Sequence, residues 1–173
     1  MLEPAEITPF EPLRLASVYE ALRGRSEAGE ARPQIFACTL GTIAHHQARR
    51  DFASNAFRAG GIELVAPSGG FALDDLAAAA TQATEAMTQS GCALAVVCGR
   101  DEDYAAAAGT LVVALREAGA REVWIAGRPP KDAGDGPPWG LSVDQAPRFV
   151  HLGCDLVAEL DHALDQARVG GEG

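Results

Sequence analysis

The sequence predicts a doubly wound α/β domain of the flavodoxin-like (Rossmann-like) type, a five-stranded parallel sheet preceded by an N-terminal helical arm. Three observations carry this. From Pro33 onward, five short apolar runs alternate with longer segments of helical periodicity, and glycines stand at the joints between them. Strands separated by helices in this way imply parallel pairing, right-handed crossovers and helices on both faces of the sheet. At 173 residues the chain is long enough for one domain with a full core and too short for two ordinary ones. Residues 1–32 are assigned to the arm and residues 33–173 to the domain.

Taken in order, the arm opens with an acidic, proline-containing lead. Leu13–Leu22 follows, with Leu15, Val18, Tyr19 and Leu22 at helical spacing, and decays into a Gly-rich and charged stretch up to Pro33. An amphipathic arm outside the repeat is expected to pack on a neighbouring domain or subunit. Strands are expected at Gln34–Thr39, Ile62–Ala66, Ala93–Cys98, Glu122–Ala126 and Arg148–Leu152. Helices are expected at Gln47–Ala59, Ala72–Gln89, 102–118 and 155–168, each with an apolar stripe, such as Leu156, Val157, Leu160, Ala163, Leu164 and Ala167 on the last. Gly60-Gly61, Gly91, Gly119 and Gly153 suit helix ends and tight turns. The repeat breaks at Gly127–Pro147, where five prolines crowd one span and predict an irregular loop.

Composition excludes several classes of function. Lys and Arg number 14 against 24 Asp and Glu, a net charge of −10, which opposes a nucleic-acid partner because duplex binding needs clustered cations. No apolar run approaches the roughly 20 residues that cross a bilayer. The start, Met1-Leu-Glu-Pro-Ala-Glu6, has neither the basic head nor the apolar stretch of a signal peptide, so a cytoplasmic location is expected. Cys38, Cys92, Cys98 and Cys154 lack the spacing of a zinc site or redox dithiol and read as buried free thiols.

Ligands on open sheets of this kind lie outside the carboxyl ends of the strands, where the strand order reverses. That crevice is built here by the turns Leu40–Gln47, with His45 and His46, and Gly99–Asp103, with Arg100, Asp101, Glu102 and Asp103. A histidine at such a crossing holds a metal or cofactor, or is simply a polar turn residue. Other chemistries lack their parts. Leu40-Gly-Thr-Ile-Ala44 has one glycine and no Gly-Lys-Ser/Thr follows, so no phosphate loop exists. There is no Gly-x-Ser-x-Gly elbow. A phospho-accepting receiver would need acidic residues after the first strand and a Lys after the fourth, where Thr39-Leu40 and Ala126-Gly-Arg-Pro-Pro130 stand. Arg50 and Asp51 read as a solvated pair, and His151 and His162 as structural.

Several phrases together carry a resemblance: Pro9–Arg23, Phe36-Ala-Cys-Thr-Leu-Gly41, Phe52-Ala-Ser-Asn-Ala-Phe-Arg-Ala-Gly-Gly-Ile-Glu63 and Leu115-Arg-Glu-Ala-Gly-Ala-Arg-Glu-Val-Trp-Ile-Ala-Gly127. From about Pro9 to Ala167 the chain resembles the C-terminal cobalamin-binding-type domain of methylmalonyl-CoA mutases, and most of all that of the small (β) subunit. The cobalamin-binding version of this domain carries Asp-x-His-x-x-Gly after its first strand, with the His on cobalt, the Asp orienting it and the Gly beside the corrin tail. Aligned without gaps from Gly61, the motif puts His46 on the ligand, Ala44 on the Asp and Arg49 on the Gly. Loss of such an orienting partner costs about 10–100-fold in metal affinity or activity. The family's Ser-x-Leu and Gly-Gly read here as Cys98-Gly-Arg100 and Ala126-Gly127.

The resemblance therefore implies the domain of a non-catalytic small subunit with a degenerate cobalamin motif. Its partner would be a large, cobalamin-binding and catalytic subunit, and adenosylcobalamin would belong to the holoenzyme and not to this chain alone. The family's acyl-CoA barrel is not among these residues, so the chain is expected to be part of a longer subunit or a free-standing domain, with no complete active site or catalytic residue of its own. The alternative that the resemblance leaves open is a cobalamin-binding domain with His46 as axial cobalt ligand.

Overall fold

The computed structural model describes residues 15–134 and 136–168; the first fourteen residues of the arm, including the start of the Pro9–Arg23 phrase, lie outside the described residues. Five parallel strands form one sheet: β1 (Gln34–Thr39), β2 (Glu63–Val65), β3 (Leu94–Cys98), β4 (Glu122–Ala126) and β5 (Arg148–Val150). Their order is β2-β1-β3-β4-β5, the expected flavodoxin-like arrangement. The reversal of order falls between β1 and β3, whose registers pair Phe36 with Ala95 and Thr39 with Cys98.

The runs of the three central strands, β1, β3 and β4, are buried almost throughout because the sheet is covered on both sides. Every residue of β3 is buried, as are five of the six in β1. Helices α3 (Leu76–Ser90) and α4 (Asp101–Glu117) cover one face, where Met87, Leu111 and Leu115 meet Phe36, Val97 and Ile125. On the other face α2 (Ile43–Ala59) and α5 (Leu156–Arg168) enclose Ile35, Val96, Trp124 and Val150. Trp124 lies at the centre of this second layer, with the Phe57 ring set edge-on at 5.5 Å. Its indole N–H donates to Glu159 Oε2 at 2.8 Å, and the same carboxylate receives both arms of Arg148 at 2.7 and 2.9 Å. A large aromatic can be buried because its one polar atom is satisfied inside the same cluster.

Several boundaries differ from expectation for local reasons. The edge strands β2 and β5 are shorter than their apolar runs, since each has a partner on one side alone. The arm helix, α1 (Leu15–Glu27), runs five residues beyond the expected Leu22 and packs on the α/β domain that follows it. Leu22 is buried in the α2–α5 layer, Ser26 Oγ donates to Gly61 O at 2.9 Å, and Arg25 pairs with Asp161 and Asp165 of α5. The proline-rich span is irregular as expected but includes three short 3-10 turns, 131–133, 138–140 and 143–145. Arg116 of α4 fixes its end by donating to the carbonyls of Gln145 and Ala146 at 3.2 and 2.9 Å.

Phe57→Ala removes a ring with no exposed surface from between α2 and the Trp124 face. It is expected to cost about 3–5 kcal/mol of unfolding free energy with an unchanged denaturant slope, as read from urea titration followed by circular dichroism.

Candidate functional site

The candidate site is the carboxyl edge of the sheet where β1, β3 and β4 end. Helix α2 begins at Ile43, four residues earlier than its apolar periodicity suggests, with Thr42 at its N-cap. This corrects the placement of the two histidines: His45 and His46 stand in the first turn of a helix, not on an open turn. The reading of His46 as a polar turn residue is corrected too, since the residue lies in a helix and is 2% exposed. Its Nδ1 lies 3.1 Å from Leu40 O. A carbonyl can only accept, so Nδ1 carries the proton and Nε2 is the nitrogen left without one in the neutral ring.

What buries His46 is the chain returning from β2. Phe71 N donates to Thr39 O at 2.7 Å, Gly41 N donates to Phe71 O at 2.8 Å, and Thr39 Oγ1 donates to Gly69 O at 3.0 Å. Residues 69–71 thereby extend the sheet past the end of β1 and lie over the imidazole. Gly70 is required there, because a Cβ would run into Gly41 O and the His46 ring.

Arg49 takes the centre of the crevice. It stands one turn further along α2, donates from Nη1 to Ala126 O at 2.9 Å and pairs through Nη2 with Asp101 Oδ1 at 2.7 Å. Its guanidinium lies 5.5 Å from the centre of the Tyr104 ring. Burial works against the Arg49 charge, but the Asp101 hydrogen bond and Coulombic attraction outweigh it and hold the group more firmly protonated than usual. Tyr104 Oη accepts from Gly99 N at 2.9 Å and donates to Ala126 O at 2.8 Å, tying the ends of β3 and β4 together. Its phenol is pushed well up by burial, so it is a fixed donor and not an acid in the physiological range. Gly127 follows, and a Cβ on it would collide with Arg49.

Apart from Asp101, the charged run after β3 pairs within itself. Arg100 is the N-cap of α4; its backbone N–H and side chain both donate to Asp103, at 2.9 to 3.0 Å. These hydrogen bonds from Arg100 hold the Asp103 carboxyl below its ordinary range. The remaining sequence candidates are spread apart. Arg50 pairs with Asp51 at 2.9 Å, half-exposed as anticipated. His151 follows the end of β5, and His162 contacts Glu122 at 2.8 Å on the α5 face. The cysteines are free; Cys38, Cys92 and Cys98 are buried and Cys154 partly so. Cys38 and Cys98 occupy adjacent strands but opposite faces of the sheet, one in each core layer.

Among the described residues no group of three or more His, Cys, Asp and Glu side chains is placed to hold a metal ion. A cobalt corrin is not fitted by this edge either. An axial histidine must present a bare ring nitrogen above the sheet, whereas His46 is covered by residues 69–71. At the position that the resemblance aligns with the motif's glycine, the Arg49 guanidinium is hydrogen-bonded to Ala126 O at the end of β4. The sequence singled out His46 and Arg49, but it gave no sign that Tyr104 joins two strands, nor that Gly69-Gly70-Phe71 covers the first turn of α2. A Gly-Gly pair before a lone Phe in a polar stretch was the available signal.

No family model matches the chain. It is similar to the methylmalonyl-CoA mutase small subunit of Streptomyces virginiae, with 38% identity over 174 residues that cover 96% of this chain and 25% of that protein. The probable methylmalonyl-CoA mutase small subunit of Mycobacterium tuberculosis (strain ATCC 25618 / H37Rv) is 36% identical over 77% of the chain and 22% of its own length. The small subunit of Propionibacterium freudenreichii subsp. shermanii is 28% identical over 88% of the chain and 22% of its own length. The chain thus spans about a quarter of the length of the curated relatives it matches.

Two outcomes follow from the charges and thiols of this edge. The Arg100 hydrogen bonds lower the Asp103 pKa in the fold, so its stabilisation is present above the unfolded value and is lost as pH falls through the folded one. Asp103→Asn is expected to lower stability by about 0.5–2 kcal/mol at neutral pH, a gap from wild type that narrows below about pH 4 in urea titrations. Burial raises the Cys98 thiol to about 12. With Ellman's reagent at about pH 8, Cys154 reacts promptly while Cys38 and Cys98 react only on unfolding.

Proposed function

Because the chain belongs with the methylmalonyl-CoA mutase small subunits, over a stretch matching about a quarter of their length, we propose that it is the C-terminal, cobalamin-binding-type domain of such a subunit. Its role in this reading is non-catalytic. It supports assembly and stability of a heterodimer with a large subunit that binds adenosylcobalamin and rearranges the acyl-CoA, and it does not hold the cofactor itself. The whole assembly works in the cytoplasm; no helix among the described residues is long and apolar enough to cross a membrane.

The observation that carries the proposal is Arg49. The position that the resemblance aligns with a glycine beside the corrin tail bears instead a guanidinium bonded to Ala126 O and Asp101 and set against Tyr104. A ligand in its place would have to break the hydrogen bond to Ala126 O, the pairing with Asp101 and the contact with Tyr104 together. Burial of His46 points the same way. With neither an orienting acid nor an open ring nitrogen, the histidine serves the fold by capping the Leu40 carbonyl.

The test is an absorbance titration of the chain with hydroxocobalamin, paired with co-purification on a tagged large subunit. An unchanged cobalamin spectrum, identical for wild type and His46→Ala, together with retention on the large subunit, is the expected result. A spectral shift that His46→Ala abolishes reinstates axial ligation and overturns the non-binding role. A chain that stays monomeric beside the large subunit overturns the assembly role.

A further inference from the structure

Beyond Arg49 the carboxyl edge opens again. A cavity of about 1040 Å³ lies between the ends of β4 and β5, the flank of α4 and the proline-rich loop. It adjoins the Arg49 cluster, since Arg49, Asp101 and Tyr104 line it while neither His45 nor His46 does. We propose that this cavity is a binding site for a small organic anion, a carboxylate or phosphate carried on an apolar or aromatic body.

The shape fits such a body. Phe52, Tyr104, Pro129, Pro138 and Trp139 supply apolar wall, and Ala126 and Gly127 supply the floor. Ligand cavities of several hundred Å³ with mostly apolar walls and a few polar groups are the common form of small-molecule site. The wall is also built with strain. Trp139 is held at φ 56° and ψ 28°, left-handed backbone that a bulky side chain rarely adopts. The surroundings impose it: Gly109 of α4 lets the Trp139 backbone come down on the helix, where a Cβ would sit 3.1 Å from Trp139 Cβ, and the Phe149 ring stands 6.1 Å from the indole. Strained backbone of this kind persists only where packing fixes it, and it concentrates at sites that bind.

Charge selects the anion. The chain as a whole carries −10, yet the loop leaving β4 places Arg128 and Lys131 on the rim of this cavity. Of the two acidic residues that line it among the described residues, Asp101 is already paired with Arg49, which leaves Asp132 against two exposed cations. Arg128 donates one amino group to Leu152 O at 3.3 Å, and among the described residues the rest of its fork is left to receive oxygens. A head group at the rim would meet both cations while its body lies against the prolines and Trp139. Low-dielectric walls on either side strengthen that attraction.

The experiment is a titration of the 15N-labelled chain, followed by amide and indole shifts, with phenyl phosphate, phenylacetate and uncharged benzyl alcohol as the probes. Both anions are expected to shift the Gly127 amide and the Trp139 indole N–H progressively, and to bind more tightly than the alcohol. The tighter of the two identifies the head group. The double variant Arg128→Gln, Lys131→Gln changes only exposed rim side chains, and its spectrum reports that it is folded. It is expected to weaken both anions about tenfold, equivalent to about 1.4 kcal/mol, and to leave the alcohol unaffected. Equal affinity for anion and alcohol overturns the proposal. So does an absence of shifts at about 10 mM probe, or shifts confined to the separate groove around Arg23 and Arg58.

Discussion

A parallel sheet buried on both faces ends in a row of carbonyl groups at its carboxyl edge, and each must find a donor. In this fold that row is where a ligand ordinarily sits, so what satisfies the carbonyls decides what the domain can bind. Here the chain satisfies them itself. Thr39 O accepts from Phe71 N, Leu40 O from His46, Cys98 O from Leu40 N, Val150 O from Gly127 N, and Ala126 O from both Tyr104 and Arg49. The rest of the site's geometry follows from this row of contacts, including the burial of His46, the locked Arg49 and the shift of open space toward the proline-rich loop.

The same economy governs the charges. The acidic run at the start of α4 suits the helix dipole, and Arg100 turns Asp103 into a cap instead of leaving it as a free anion. On the far face Glu159 serves Trp124 and Arg148 together, while Glu122 receives Arg116 and contacts His162. Arg116 also holds the end of the proline-rich loop, so one side chain couples α4, β4 and the wall of the cavity. These half-buried pairs act less as sources of stability than as fixed points, because each carboxylate receives more than one donor.

Much of the fold was legible in the sequence. The β1 and β4 runs, Gln34–Thr39 and Glu122–Ala126, match the observed strands at both ends, because uninterrupted apolar residues between turn formers leave little choice of boundary. The start of α2 was not legible. Ile43, Ala44, His45 and His46 lack the amphipathic stripe that marks the rest of the helix, because Ile43 and Ala44 are exposed and the buried residue of the turn, His46, lies against Gly70. The inward packing of α1 was hidden for a related reason: its anchors, Leu22 and Ser26, are few, and their partners stand more than thirty residues away.

By itself the sequence determined the alternation of strands and helices, the doubly covered sheet and the kinship with mutase small subunits, since periodicity and phrase matches are local properties of the chain. It also put Arg49 where the cobalamin motif has its glycine. Only the tertiary structure decided what that substitution does. Where the guanidinium goes depends on Ala126, Asp101 and Tyr104, brought together from β4 and α4, and on a segment after β2 that covers the histidine. Partners distant in sequence are set by the crossovers, so the burial of His46 against Gly70 became visible only once the carboxyl edge had been assembled.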